Sequence, residues 1–224
     1  MKKRILFTIL PLILLTSCKN IVNERLELTS EQAKQNLVAL ESTGYEIQTR
    51  NNVDTLETYG YKDGYRYTLS NRSDASYRYG CMEHGSDKYE YILEKEGFVK
   101  TGSDMKIYRA EDDFYLTQFA NYKGKDRDPE YEHKKIGERE FLGRKVTEYS
   151  YIQRTYYKSI YNFWGKIFRL EDFYAGDITY YVDNELGITL YIKWTYIDDP
   201  WEVISFKTGN DVEIPKIIEE EPQN

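Results

Sequence analysis

Four side chains of this sequence could carry reactive chemistry by type alone: the thiols of Cys18 and Cys81 and the imidazoles of His84 and His133. Cys81-Met82-Glu83-His84 brings a thiol and an imidazole within three residues. A structural zinc site takes four ligands, so Asp87 or His133 would have to join them from elsewhere. A Cys81–His84 nucleophile pair would need a third group to orient the base, and none stands near it in sequence. Paired carboxylates occur at Glu111-Asp112-Asp113, Glu171-Asp172 and Asp198-Asp199. Glycoside hydrolysis needs two facing carboxylates about 5–10 Å apart; helix starts, turns and solvated faces use the same residues more often. G-x-S-x-G, P-loop, G-x-G-x-x-G and H-E-x-x-H patterns do not occur. The expectation is a non-enzymatic protein with no metal and no cofactor.

Cys18 has a more specific setting. Lys2, Lys3 and Arg4 open the chain, and Ile5 to Leu15 is an apolar run, too short to span a bilayer. Leu15-Thr16-Ser17-Cys18 follows directly. This order resembles the export signal and lipobox of bacterial lipoproteins. The resemblance implies cleavage before Cys18, lipid on its thiol, and attachment to a membrane of the cell envelope. The plainer alternatives are an ordinary signal peptide that happens to carry a cysteine, or a short uncleaved anchor. On this reading residues 1–17 are signal, 18–27 a lipidated tether, 28–215 a single β-rich domain and 216–224 a loose acidic tail. Cys81 would then have no partner for an intramolecular disulfide.

Charge limits the partners. The whole chain carries a formal charge of −7, and loss of Lys2, Lys3 and Arg4 with the signal would take it to −10. That argues against nucleic acid, which is bound by lysines and arginines, and against adsorption of the domain to anionic lipid. Membrane attachment would therefore rest on Cys18.

Tyrosine is abundant, 23 of 224 residues, and favours half-buried strands. Tyr-x-Tyr recurs at 59, 65, 77, 89 and 149. A period of two sets both rings of such a pair on one sheet face. Cross-strand aromatic pairing accounts for this; an aromatic wall beside an apolar or sugar ligand is the alternative. The pattern predicts strands at 45–49, 59–61, 65–69, 77–79, 89–93, 105–108, 135–140, 145–151, 178–182, 188–194 and 201–206, with turns at Asp63-Gly64 and Asp183–Gly187. A helix is expected over 28–43, opened by a Thr29/Gln32 capping box and closed by Gly44. Residues 110–125 are ambiguous, with Glu111-Asp112-Asp113 suiting a helix start. Ile160, Phe163, Trp164, Ile167 and Phe168 fall at i, i+3, i+4, i+7 and i+8, which predicts an aromatic-faced amphipathic helix over 159–174, although Gly165 disfavours it. The fold expected is mainly β (α+β): a single curved antiparallel sheet or half-barrel packed against one or two helices.

Two stretches extend this. Ile136-Gly137-Glu138 and Phe141-Leu142-Gly143-Arg144-Lys145-Val146 are followed by Tyr180-Tyr181-Val182-Asp183-Asn184-Glu185-Leu186-Gly187-Ile188-Thr189-Leu190. Their order resembles the hairpins of the LolA/RseB-like envelope proteins. The resemblance implies a curved, incomplete barrel around an apolar cavity for acyl chains, with Ile160, Phe163, Trp164, Ile167 and Phe168 as its ligand-binding lid. It departs from that group in being rich in tyrosine where such cavities are aliphatic. A membrane-anchored envelope protein binding a lipid or lipoprotein is the first expectation. A structural or sensory protein-interaction module is the second, and a cell-wall hydrolase the third.

Overall fold

The structure is a computed structural model that describes residues 29–51, 55–72, 78–121, 132–163, 166–195 and 197–219; the side chains of 72, 78, 121, 132–133 and 151–176 lie outside that description. Twelve strands form one mainly antiparallel sheet, as the tyrosine-rich alternation predicts. They are β1 Tyr45–Asn51, β2 Thr55–Lys62, β3 Tyr65–Arg72, β4 Arg78–His84, β5 Asp87–Ile92, β6 Gly97–Thr101, β7 Glu132–Phe141, β8 Arg144–Phe163, β9 Lys166–Asp183, β10 Thr189–Trp194, β11 Trp201–Thr208 and β12 Ile217–Ile218. The spatial order is β12-β6-β5-β4-β3-β2-β1-β11-β10-β9-β8-β7. Two meanders thus meet where β1 pairs with β11.

Turn chemistry sets the registers. Asp63 and Gly64 both have positive φ (49° and 85°), as do Leu142 and Gly143 (53° and 72°). Two consecutive residues of this kind make a hairpin turn whose twist matches that of the strands. Lys62 accordingly pairs with Tyr65, and Phe141 with Arg144. The Asp183–Gly187 connection is held by Asp183 itself. Its Oδ1 accepts from the amides of Glu185 (3.0 Å) and Leu186 (2.7 Å), and Arg144 donates to both of its carboxylate oxygens.

One face of the sheet is covered by helices. Helix α1 spans Ser30–Ala39 and continues as a 3-10 turn, Leu40–Ser42. The predicted capping box is present: Thr29 Oγ1 accepts from the Gln32 amide, and Gln32 Oε1 from the Thr29 amide. Ala33 and Leu37 are fully buried on the sheet. The ambiguous 110–125 stretch supplies a 3-10 turn, Ala110–Asp112, a four-residue helix α2, Phe114–Thr117, and a second 3-10 turn, Phe119–Asn121. Asp113 caps α2 through Leu116 N at 2.9 Å. Beneath these lie Tyr45, Ile47, Tyr180, Ile192, Trp201 and Val203. Tyr115 and Phe119 fill the space between, with ring centroids 5.6 Å from Trp201 and from Tyr180 respectively. The opposite face carries a smaller core of Tyr67, Met82, Tyr89 and Phe98.

Three expectations are corrected. Residues 159–174 are not a helix: β8 and β9 run through them as a hairpin, with Ile160 paired with Arg169 and Phe163 with Lys166. Aromatic and β-branched residues, which favour strands, outweigh a spacing that also fits a helix. Met105–Tyr108 is not a strand. Its burial alternates, but it pairs with no described strand, and Tyr108 O accepts from Thr68 Oγ1 of β3 at 2.5 Å. The stretch taken as a loose tail from 216 contains β12, which pairs in parallel with β6. Gly97 permits this, since a Cβ there would lie 2.9 Å from Ile218 Cγ1.

Candidate functional site

Alternation along β4 decides the Cys81–His84 question. Residues three apart on a strand occupy opposite faces. Cys81 is buried on the helix-covered side, where its thiol donates to Tyr79 Oη at 3.0 Å. Burial pushes the thiol pKa up, and the hydrogen bond to Cys81, followed by desolvation, pushes Tyr79 up to about 12. A thiol held protonated in this way is a poor nucleophile. His84 is on the other side, stacked on the Tyr65 ring at 4.0 Å between centroids. The structure does not bring the two together. Among the described residues no group of three or more His, Cys, Asp or Glu could hold a metal ion. The side chain of His133 and all of Cys18 and Trp164 lie outside the described residues. Ile160, Phe163, Ile167 and Phe168 are placed by backbone register alone.

Among the described residues carboxylates converge at Tyr59, at Arg66 and, as Asp183 with Glu185, at Arg144, and each set is engaged by the protein itself. Tyr59 Oη lies 2.7 Å from Glu57 Oε2 and 2.8 Å from Asp113 Oδ2. The phenol has one proton to donate. Burial first, then the two carboxylates, hold its pKa far above the usual tyrosine value. The second cluster surrounds Arg66. Its Nη2 donates to Glu41 Oε1 at 2.6 Å, while Glu83 and Glu111 each stand 3.6 Å away. Its guanidinium also sits 5.2 Å over the Tyr61 ring. Burial opposes the charge on Arg66, but the Glu41 hydrogen bond and the surrounding carboxylates more than offset it, and its pKa is raised. Lys88 reaches Glu83 at 2.5 Å and Arg109 reaches Glu111 at 3.7 Å. This network pins the end of α1 and the 110–112 turn to β3 and β4. It reads as a structural clamp, since cations already fill it.

Among the described residues a groove of about 580 Å³ lies open on the outer face, lined by Tyr65, Tyr89, Lys100, Ile217, Ile218 and Glu219. Three elements build it. Hairpin β2–β3 places Tyr65; β5 and β6 bring Tyr89 opposite Lys100; the returning C-terminus supplies Ile217–Glu219 as the far wall. Asp87 pairs with Lys100 at 2.8 Å on the rim. The groove has the size of a small-molecule site. It offers two aromatic rings, two aliphatic side chains and one charge of each sign, which suits a ligand with an apolar body and polar ends. The Tyr-x-Tyr units at 65 and 89 marked two of its residues in the sequence. Nothing in sequence joined them to the C-terminal stretch.

The chain was compared with known proteins. No protein-family model matches it. No curated protein matches it. Among solved structures, an uncharacterized conserved protein from Thermus thermophilus is similar at 8% identity with a TM-score of 0.34, over 81% of this chain and 88% of that one. LprF from Mycobacterium bovis is similar at 12% identity with a TM-score of 0.40, over 84% of this chain and 98% of that one.

Proposed function

We propose that this chain is an exported envelope lipoprotein, anchored to a membrane by lipid on Cys18, whose sheet binds a ligand rather than catalysing a reaction. The ligand class is a lipid-like or lipoprotein-derived molecule with an apolar body. The site proposed for it is the outer groove, because Tyr115 of α2 and Phe119 of the following 3-10 turn already fill the inner face. The observation that carries the binding role is the groove itself, about 580 Å³ and lined by Tyr65, Tyr89, Ile217 and Ile218 together with the charged Lys100 and Glu219. A binding role is also supported by where the reactive groups sit. Cys81 and His84 face opposite ways, and the carboxylates at Tyr59 and Arg66 are turned to internal partners rather than to the groove.

The anchor is tested by metabolic labelling with palmitate. Wild-type chain should be labelled and membrane-bound, and Cys18→Ala unlabelled and released. Unchanged labelling of that variant would refute the anchor. The groove is tested by mass spectrometry of apolar compounds co-purifying with residues 19–224. Lys100 is exposed on the rim, so Lys100→Trp should narrow the groove with the fold intact and cut the recovered compound several-fold. Equal recovery from both proteins would rule the groove out as the site.

A further inference from the structure

The β8–β9 hairpin outgrows the sheet. Among the described residues β7 accompanies β8 as far as Ile152, opposite Glu132, and β10 accompanies β9 as far as Ile178, opposite Trp194, with Thr195 N donating to Asp177 O just beyond. Beyond these limits eleven consecutive pairs, from Gln153–Gly176 to Phe163–Lys166, join β8 and β9 to each other alone among the described strands. At about 3.3 Å per residue the ribbon extends roughly 35 Å past the sheet. A two-stranded ribbon is at best marginally stable in water, so this one calls for a surface to lie against.

Its sequence indicates which. From Lys158 to Arg169 there are three cations and no Asp or Glu, in a chain whose net charge is −7. The same twelve residues hold Ile160, Tyr161, Phe163, Ile167 and Phe168. Register sets Tyr161 opposite Phe168 and Asn162 opposite Ile167, with Lys166 beside the turn. The acidic residues of the ribbon, Glu171 and Asp172, occur only nearer the sheet. Aromatic residues favour the membrane–water interface, and basic residues beside them are drawn to anionic headgroups. The distal ribbon therefore carries the opposite charge to the rest of the protein and the same composition as an interfacial segment.

We infer that the far end of the β8–β9 ribbon docks on an anionic lipid surface, giving the protein a second membrane contact besides lipid on Cys18. The inference rests on the envelope reading for its setting. The acidic body of the domain opposes adsorption, which leaves the ribbon to set the orientation.

The test uses the chain from residue 19 to 224, which keeps every described residue and lacks Cys18. Its outcome is therefore independent of whether Cys18 is lipidated. Sedimentation with phosphatidylcholine vesicles and with mixed phosphatidylcholine–phosphatidylglycerol vesicles should show retention on the anionic vesicles and little on the neutral ones. Lys158→Gln and Lys166→Gln should each weaken it roughly five-fold at low salt. Phe163→Ser with Phe168→Ser should abolish it, with the melting temperature unchanged as the control for folding. Equal retention on both vesicle types, or binding indifferent to all four substitutions, would overturn the inference. So would ribbon-dependent self-association with no vesicle binding, which would identify a second copy as the occupant.

Discussion

The body of the sheet and the ribbon that leaves it are both built of strands rich in aromatic residues, yet they are held in different ways. In the body, each strand has a neighbour on both sides except at the edges, and helices lie on one face. Trp201 is 2% exposed and packs under Tyr115; Ile47, Ile192 and Val203 are fully buried around it. In the ribbon, eleven pairs have only each other among the described strands. Hydrogen bonding between two strands is thus common to both regions, and the helix-covered core belongs to one. Pairing makes a strand in either case; the cover decides whether that strand contributes to global stability.

The contrast can be broken at graded points. Trp201→Ala should cost about 3–5 kcal/mol, because it removes a large buried side chain and leaves a cavity under α2. Urea denaturation of the 19–224 chain measures it, and a cost under about 1 kcal/mol would mean that the body is not packed as described. Asp183→Ala should follow at about 2–3 kcal/mol. It strands Arg144, which donates to Asp183 and is held charged by it, and it frees two turn amides.

Tyr59→Phe should cost about 1 kcal/mol near neutral pH through lost hydrogen bonds, and it should also change the alkaline limb. Burial, foremost, holds the phenols of Tyr45, Tyr59 and Tyr67 far above their ordinary value in the folded state. Their contribution is fully present below about pH 10, where unfolded tyrosine ionises. Above that the unfolded chain releases protons first, so stability falls as pH rises toward the folded values. The fall should be shallower in Tyr59→Phe, as read by denaturation midpoints at stepped alkaline pH. Leu170→Ser, in the ribbon, should change stability by less than about 0.5 kcal/mol. A loss above about 2 kcal/mol there would show the ribbon to be part of the cooperative core and erase the distinction.

Much of the local structure could be read in advance, because its causes are local. Thr29 with Gln32 starts α1; Asp63-Gly64 and Leu142-Gly143 adopt positive φ and set two hairpins; Asp183 to Gly187 makes a third. The candidate lid at 160–168 departs from the helix its spacing predicts for a physical reason. Its apolar spacing fits a helix, and only pairing along the whole length of β8 and β9 settles it as a strand. Cys81 and His84 looked adjacent in sequence and are separated by the sheet. Met105–Tyr108 kept the alternation of a strand with no ladder to join.

The sequence by itself determined the acidic balance, the β-rich class and the turns that punctuate it, since composition is fixed by the chain alone and each turn depends on residues within a few positions of one another. Only the tertiary structure decided the groove, whose walls come from residues 65, 89, 100 and 217–219. It likewise decided the clamp of Arg66 on Glu41, Glu83 and Glu111, and the length of the ribbon left outside the sheet. These depend on which strands stop beside which. That is set by long-range pairing and by the side chains that cover one face, neither of which leaves a local mark in the sequence.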